Sequence, residues 1–197
     1  MQKILNDINE DFFLSHEPAI IEEMIINGVI DKEAIANKWL GYPPATEQEI
    51  QNKERLLGTL LPPSFKEFLL TSNGFKQVSI FQDNLFPIDK VDWAKNTEQQ
   101  WWFDLLEQND FEVPDEIYFV YGQEQAPAMY SDKYLKHSLK VSERYDGMCV
   151  FLNPMIKDGE EWEVLVYATW YPGTKRYRSF KEYLLETHEI NVALRDF

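Results

Sequence analysis

The chain is short of cysteine, histidine and positive charge. Its single cysteine, Cys149, excludes an intramolecular disulfide and suits a reducing compartment. Three histidines, His16, His137 and His188, fall far apart in unrelated stretches, so no zinc spacing and no histidine-centred triad follows. Dinucleotide and phosphate-loop glycine patterns, the GxSxG nucleophile turn, HExxH and the EF-hand loop are all absent. No stretch reaches the ~18 apolar residues of a membrane span; the longest apolar runs, such as 19–26, are broken by charge. The first residues are acidic where a signal peptide is basic and then apolar, so a cytoplasmic location is expected. Lys and Arg number 19 against 34 Asp and Glu, a net charge of −15. That balance opposes nucleic acid, whose binding depends on cations replacing phosphate counterions, and opposes anionic membrane. It favours solubility and basic partners. The residues imply no cofactor and no metal.

What is present is a globule-forming composition, 44% hydrophobic and 15% aromatic over 197 residues, which suits one domain or one domain with a helical appendage. Ile4, Leu5, Ile8, Phe12 and Phe13 make a helical stripe. Pro18 opens a second helix with Ile20, Ile21, Met24 and Ile25 expected inward and Gly28 at its end. Asp31 caps a third, holding Ala34, Ile35 and Trp39, which Gly41 stops. These helices are expected to pack on the core, with a contact surface or dimer arm as the alternative.

The most informative stretch is 39–75. Thr46 followed by Glu49 is a capping box, starting a helix with Ile50 and Leu57 on one face. Pro62 and Pro63 break it and open the next helix, where Phe65, Phe68 and Leu69 share a buried face. Asn73-Gly74 is expected to end that helix, with glycine in the left-handed position. Beyond Gly74 the period changes. Val78 and Ile80, then Leu85 and Phe86, read as two short strands. Ile117, Phe119 and Tyr121 alternate as a strand, and another is expected near Ala128. The clearest β signal is 149–152 paired with 162–171, an antiparallel hairpin with a long loop over 153–161 containing Pro154 and Asp158-Gly159. A second capping box, Ser179 with Glu182, opens a closing helix with Phe180, Tyr183 and Leu184.

The order Trp39, Pro44-Ala45-Thr46, Glu49-Ile50, Leu61-Pro62, Phe65, Phe68-Leu69, Asn73-Gly74 resembles the SMI1/KNR4 family of the SUKH superfamily, with a looser match downstream through Leu184. The resemblance covers about 39–187. It implies an α+β fold, a mixed, mainly antiparallel sheet flanked by helices, over 39–197, with 1–38 as an N-terminal helical extension packed on that core. It also implies a non-enzymatic role. Proteins similar to this one are often immunity proteins that neutralise a cognate bacterial toxin, many such toxins being nucleases with basic, phosphate-binding clefts. The alternative is a regulatory or scaffolding module, as in fungal relatives linked to cell-wall synthesis.

Charge by segment locates a candidate surface. Residues 41–76 are neutral, whereas 77–127 hold 2 basic and 11 acidic residues interleaved with tryptophan and phenylalanine. Carboxylates steer a basic partner and desolvated aromatics hold it. Asp83, Asp92, Glu98, Trp101, Trp102, Asp104, Glu107 and Asp110 are the expected contact residues, from charge and aromatic clustering alone. The alternative leaves the aromatics in the core and the acids as its solvated rim. Trp101 and Trp102 are adjacent, so they cannot both point the same way. Two basic groups, Lys136 with Lys140 and Arg144, and Lys175 with Arg176 and Arg178, are expected to be solvated or paired with the acidic segment. Glu160-Glu161 are read as solvated loop acids rather than a glycosidase pair, and Cys149 as an inert buried thiol.

Overall fold

Side-chain caps at Asp31 and Thr46 set where two of the N-terminal helices begin. The computed structural model describes residues 1–79, 84–107, 112–129, 131–170 and 173–195. Along the chain the elements are α1 (Gln2–Ser15), α2 (Pro18–Ile26), α3 (Lys32–Asn37), α4 (Glu47–Leu57), α5 (Pro63–Thr71), β1 (Asp92–Trp93), α6 (Ala94–Thr97), α7 (Gln100–Glu107), α8 (Asp115–Tyr118), α9 (Asp132–Lys136), β2 (Leu139–Lys140), β3 (Cys149–Asp158), β4 (Glu161–Ala168), β5 (Gly173–Tyr177) and α10 (Phe180–Arg195). They divide into two compact units, residues 1–89 with 181–197, and residues 90–180. No helix among the described residues is long and apolar enough to cross a membrane.

In the helical unit, α1 buries Ile4, Leu5, Ile8 and Phe12, the stripe its sequence predicts. It is tied to the following segment through Asn9, whose Oδ1 accepts from the Leu40 N–H at 2.9 Å while Nδ2 donates to the Lys38 carbonyl at 3.0 Å. The capping box of α4 is complete: Thr46 Oγ1 accepts from the Glu49 N–H at 3.2 Å, and Glu49 Oε2 accepts from the Thr46 N–H at 2.7 Å. Those bonds hold the Glu49 carboxyl below its usual range. Pro62 and Pro63 open α5, which buries Phe65, Phe68 and Leu69.

Several expectations fail in this unit, among them the end of α3, which stops at Asn37 with Lys38 left-handed, so that Trp39 lies outside it and Gly41 does not end it. Of the α2 residues expected inward, Ile21, Met24 and Ile25 are only half-buried and Ile20 is exposed; the helix fully buries none of its residues. Gly74 does not terminate α5, which ends at Thr71 with Ser72 extended. Its φ of 96° serves a close approach instead: a Cβ there would lie 2.8 Å from the Leu85 carbonyl oxygen and 2.8 Å from the Pro87 nitrogen. Asn73 Oδ1 secures the same approach by accepting from the Ile88 N–H at 2.7 Å. The expected strands around 78–88 reduce, among the described residues, to one bridge between Phe75 and Leu85; Ile80 lies outside them.

The second unit carries the sheet, five strands in the order β1-β2-β3-β4-β5, every described pairing antiparallel. The chain is thus α+β, as its resemblance implies. The central hairpin runs further than expected: 153–161 is not a long loop but continues β3 into a two-residue turn at Gly159-Glu160, with an irregularity between Asn153 and Lys157 that absorbs Pro154. Both faces of β4 are covered, which is why 162–168 reads as almost continuously apolar. The outer edge of β5 is closed by 122–129. Gln125 Oε1 accepts from the Arg176 N–H at 2.7 Å and its Nε2 donates to the Arg176 carbonyl at 3.3 Å, mimicking a neighbouring strand. Thr174 N–H adds a bond to the Pro127 carbonyl at 2.9 Å. The stretch 117–121 is not a strand: Pro114 caps α8, and Asp115 and Glu116 occupy its first turn. Near Ala128 the chain turns rather than extends.

Candidate protein-binding surface

Helix α7 divides its residues sharply between interior and solvent. Trp102, 5% exposed, and Phe103 enter the core with Ala94, Leu135, Cys149, Phe151, Leu165 and Tyr167. The Trp102 ring stacks on Phe151, centroids 6.1 Å apart, and meets Tyr167 edge-on at 5.4 Å. Trp102 is therefore a core residue and is corrected as a contact residue. Trp101 points the other way and is 61% exposed, its indole N–H donating to Gln99 Oε1. Asp104 shares that outer face and accepts from Gln100 Nε2 at 2.7 Å.

Glu98 is likewise withdrawn from the surface. Lys140 Nζ lies 2.7 Å from its Oε1 and Arg144 Nη2 2.9 Å from its Oε2. Burial pushes its carboxyl up, but the Lys140 hydrogen bond and the Arg144 charge outweigh it and hold Glu98 below the usual range. The Arg144 guanidinium also covers the Trp102 ring at 4.8 Å. Lys140 and Arg144 thus pair with the acidic segment rather than forming a basic ridge; Lys136 lies in α9, Lys140 in β2. Asp92 is half-buried and accepts from Asn96 Nδ2 at 3.0 Å and from the Trp93 N–H at 2.7 Å. Asp83 and Asp110 lie outside the described residues, as does the side chain of Glu107, whose backbone closes α7.

The structure adds acids that the strand reading of 117–121 concealed. Glu112, Asp115 and Glu116 are exposed around α8, with Phe119 exposed just beyond it. Among the described residues no cation pairs with any of these three or with Asp104. A cleft of about 390 Å³ runs beside them, lined by Glu112, Pro114, Asp115, Tyr118, Ser131 and Tyr134 among others. The signal was legible: proline followed by two acids is a helix start.

A buried polar network anchors this acidic segment to the sheet. Glu163 on β4 accepts from the Tyr118 hydroxyl at 2.7 Å, the Tyr121 hydroxyl at 3.0 Å and Asn153 Nδ2 at 2.8 Å. Burial raises its carboxyl above the usual range despite these bonds, and burial beside Glu163 raises both tyrosines, which remain donors. Arg176, fully buried, donates through Nε to the Tyr118 carbonyl at 3.2 Å and through Nη1 to the Met129 carbonyl at 3.0 Å, and its guanidinium covers the Tyr118 ring at 4.8 Å. The α8 segment is thereby fixed against β4 and β5.

Chemistry is poorly served elsewhere. Glu160 and Glu161 sit at the β3–β4 turn. The Cys149 thiol is pushed up to about 11 by burial. His16 Nδ1 lies 2.8 Å from the Phe12 carbonyl and His188 Nδ1 2.6 Å from Asp11. Among the described residues no group of three or more His, Cys, Asp or Glu side chains is placed to hold a metal ion.

No curated protein matches the chain. A family model, the SMI1 / KNR4 family (SUKH-1), matches residues 44–186, most of the chain, from just before the α4 capping box through the sheet into α10. The chain belongs to the SMI1/KNR4 (SUKH-1) family.

Proposed function

We propose that the protein is a non-enzymatic, cytoplasmic immunity protein that binds a cognate bacterial toxin and blocks it. Its acidic surface in the sheet unit is set into the toxin's basic, phosphate-binding cleft, as suits a nuclease toxin. Residues 1–38 are read as a helical appendage to the domain of 39–197. The observation that carries the proposal is the exposure of Trp101 with Asp104 on α7, and of Phe119 with Glu112, Asp115 and Glu116 around α8, on elements that a core and a buried polar network hold still. Unpaired carboxylates steer association, and exposed aromatics on a rigid support supply affinity at low ordering cost.

The test begins with affinity capture of the tagged protein from its native cell and identification of the bound protein. The expected partner is basic, toxic when expressed alone and rescued by co-expression. Rescue should fail for Trp101→Ala combined with Asp104→Lys, with folding intact, and association should slow steeply with salt. Recovery of wall-synthesis or signalling proteins instead, indifferent to these substitutions, would replace this reading with a regulatory one.

A further inference from the structure

Pro43 and Pro44 keep the residues before them out of the helical region, and backbone bonds pin the stretch in place. Tyr42 N–H donates to the Gly74 carbonyl at 3.4 Å and Ala45 N–H to the Leu69 carbonyl at 2.9 Å, while the Leu40 carbonyl accepts from Lys76 N–H at 3.0 Å. A cleft of about 630 Å³ opens along this stretch, a size that suits a ligand site. Trp39, Tyr42, Pro43, Pro44, Lys76 and the exposed Glu33 are among its lining residues, all within the helical unit. The half-buried Trp39 ring meets Phe75 edge-on at 5.5 Å. Its nitrogen edge rests over Gly41, where a Cβ would lie 2.5 Å from Nε1, so glycine is what admits the ring. Among the described residues Trp39 Nε1–H has no hydrogen-bond partner, and it is not sealed from solvent. Lys76, 9% exposed, sets its ammonium 2.7 Å from Asp31 Oδ2 and 4.4 Å from the centre of the Tyr42 ring. An ammonium carries three donors, of which Asp31 takes one. Asp31 is itself committed, its Oδ1 accepting from the Ala34 N–H at 2.7 Å. No cation among the described residues pairs with Glu33.

Fixed rings with unengaged donors between them select an occupant rich in apolar surface and acceptors. A free anion fits poorly, because Asp31 already neutralises Lys76 and Glu33 lines the same cleft. A helical segment fits poorly too, because its carbonyls are bonded within the helix. A proline-rich segment in the polyproline II conformation has no internal hydrogen bonds, and proline has no N–H of its own. Its rings pack on aromatic faces and its carbonyls accept from donors set between them. It is extended before it binds, so docking on a pinned cleft orders little chain. We propose that this cleft docks a proline-rich, extended segment of a partner protein, with a backbone carbonyl accepting from Trp39 Nε1–H and a basic residue beside the prolines meeting Glu33. The inference does not use the Trp101 surface, which lies in the other unit.

The test uses the full, isotopically labelled chain and an end-blocked proline oligomer of about ten residues, long enough at ~3.1 Å per residue to cross the cleft. The Trp39 indole N–H signal, assigned on the parent chain by NMR, should move and saturate on titration. A glycine–serine peptide of equal length should leave it in place. Fluorescence anisotropy should show the proline peptide binding at least ~10-fold more tightly than the glycine–serine one. Trp39→Phe keeps a ring against Phe75 and removes the donor, so it should weaken the proline peptide about 5-fold, the worth of one hydrogen bond. An arginine added beside the prolines should tighten binding to the parent, and Glu33→Lys should remove that gain. Glu33 is exposed, so this variant reads the cleft with the rings and the fold untouched. A Trp39 signal that stays in place at high peptide concentration overturns the proposal, as does equal binding of the two peptides. Saturable movement of the Trp101 signal instead of Trp39 also overturns it, by assigning proline binding to the other unit. An arginine gain that survives Glu33→Lys overturns the role of Glu33.

Discussion

Replacing Glu163 tests the anchor that holds the acidic segment. The side chain is 1% exposed and satisfies three donors, of which the Tyr118 hydroxyl and the Asn153 amide belong to buried residues. Glu163→Ala orphans both buried donors at about 1–3 kcal/mol each and leaves a void. The expected loss is about 3–5 kcal/mol, a large part of a stability that is typically about 5–15 kcal/mol. Glu163→Gln keeps one carbonyl oxygen and should cost about 1–2 kcal/mol. Urea unfolding followed by tryptophan fluorescence reads this, because Trp102 and Trp162 are buried in the same unit. The pH dependence has a definite sign. Burial raises the Glu163 pKa above its ordinary 4.5, so the folded protein retains a proton that the unfolded chain has released. That contribution is complete below 4.5 and is lost as pH rises through the folded value. The destabilisation of Glu163→Gln relative to the parent should therefore shrink as pH rises. An alanine variant within about 0.5 kcal/mol of the parent, or a glutamine difference flat with pH, would refute the assignment of Glu163 as a buried, proton-retaining anchor.

The adjacent tryptophans give an internal control: Trp102→Ala should cost about 3–5 kcal/mol and Trp101→Ala less than about 0.5 kcal/mol, and equal urea midpoints would contradict their opposite placement. Glu98→Gln should cost about 1–2 kcal/mol near neutral pH. Because the Glu98 pKa is held down, the parent's advantage is present above 4.5 and fades as pH falls through the depressed value, so a cost that persists in strong acid would refute the ion-pair reading. Cys149, buried and shifted to about 11, should resist Ellman's reagent at pH near ~8 until the chain unfolds. Prompt labelling of the native protein would place the thiol elsewhere.

Much of this architecture was legible because it is written in local chemistry. The Thr46–Glu49 box, the Pro62-Pro63 start of α5 and the α1 stripe each depend on residues within a turn or two of one another, and each stands where its pattern places it, although α4 is ended by the left-handed Gly58 rather than by the prolines. The β3–β4 hairpin was legible for the same reason, although it closes in a tight turn at Gly159-Glu160 rather than a long loop. The alternation of Ile117, Phe119 and Tyr121 misleads as a strand because Tyr118, the residue between them, is the one drawn inward, by Glu163 and Arg176 from distant strands. Nothing near Tyr118 in sequence announces those partners.

The same distinction separates what the sequence determined from what the fold decided. Composition and charge already favoured a protein binder over a nucleic-acid or membrane one, and the 39–75 pattern already pointed to the family. Which acidic and aromatic side chains stay at the surface was a tertiary decision. Glu98 and Asp104 are equivalent as letters, but Lys140 and Arg144 reach only the first. Trp101 and Trp102 are neighbours, but β3 and β4 present Phe151 and Tyr167 to only one of them. Arg176 sits in the middle of a basic cluster yet is fully buried, because strand alternation turns it inward and distant carbonyls receive it. Local propensity is set by neighbours along the chain; exposure is set by packing partners far from it in sequence, and the surface consists of what those partners leave uncovered.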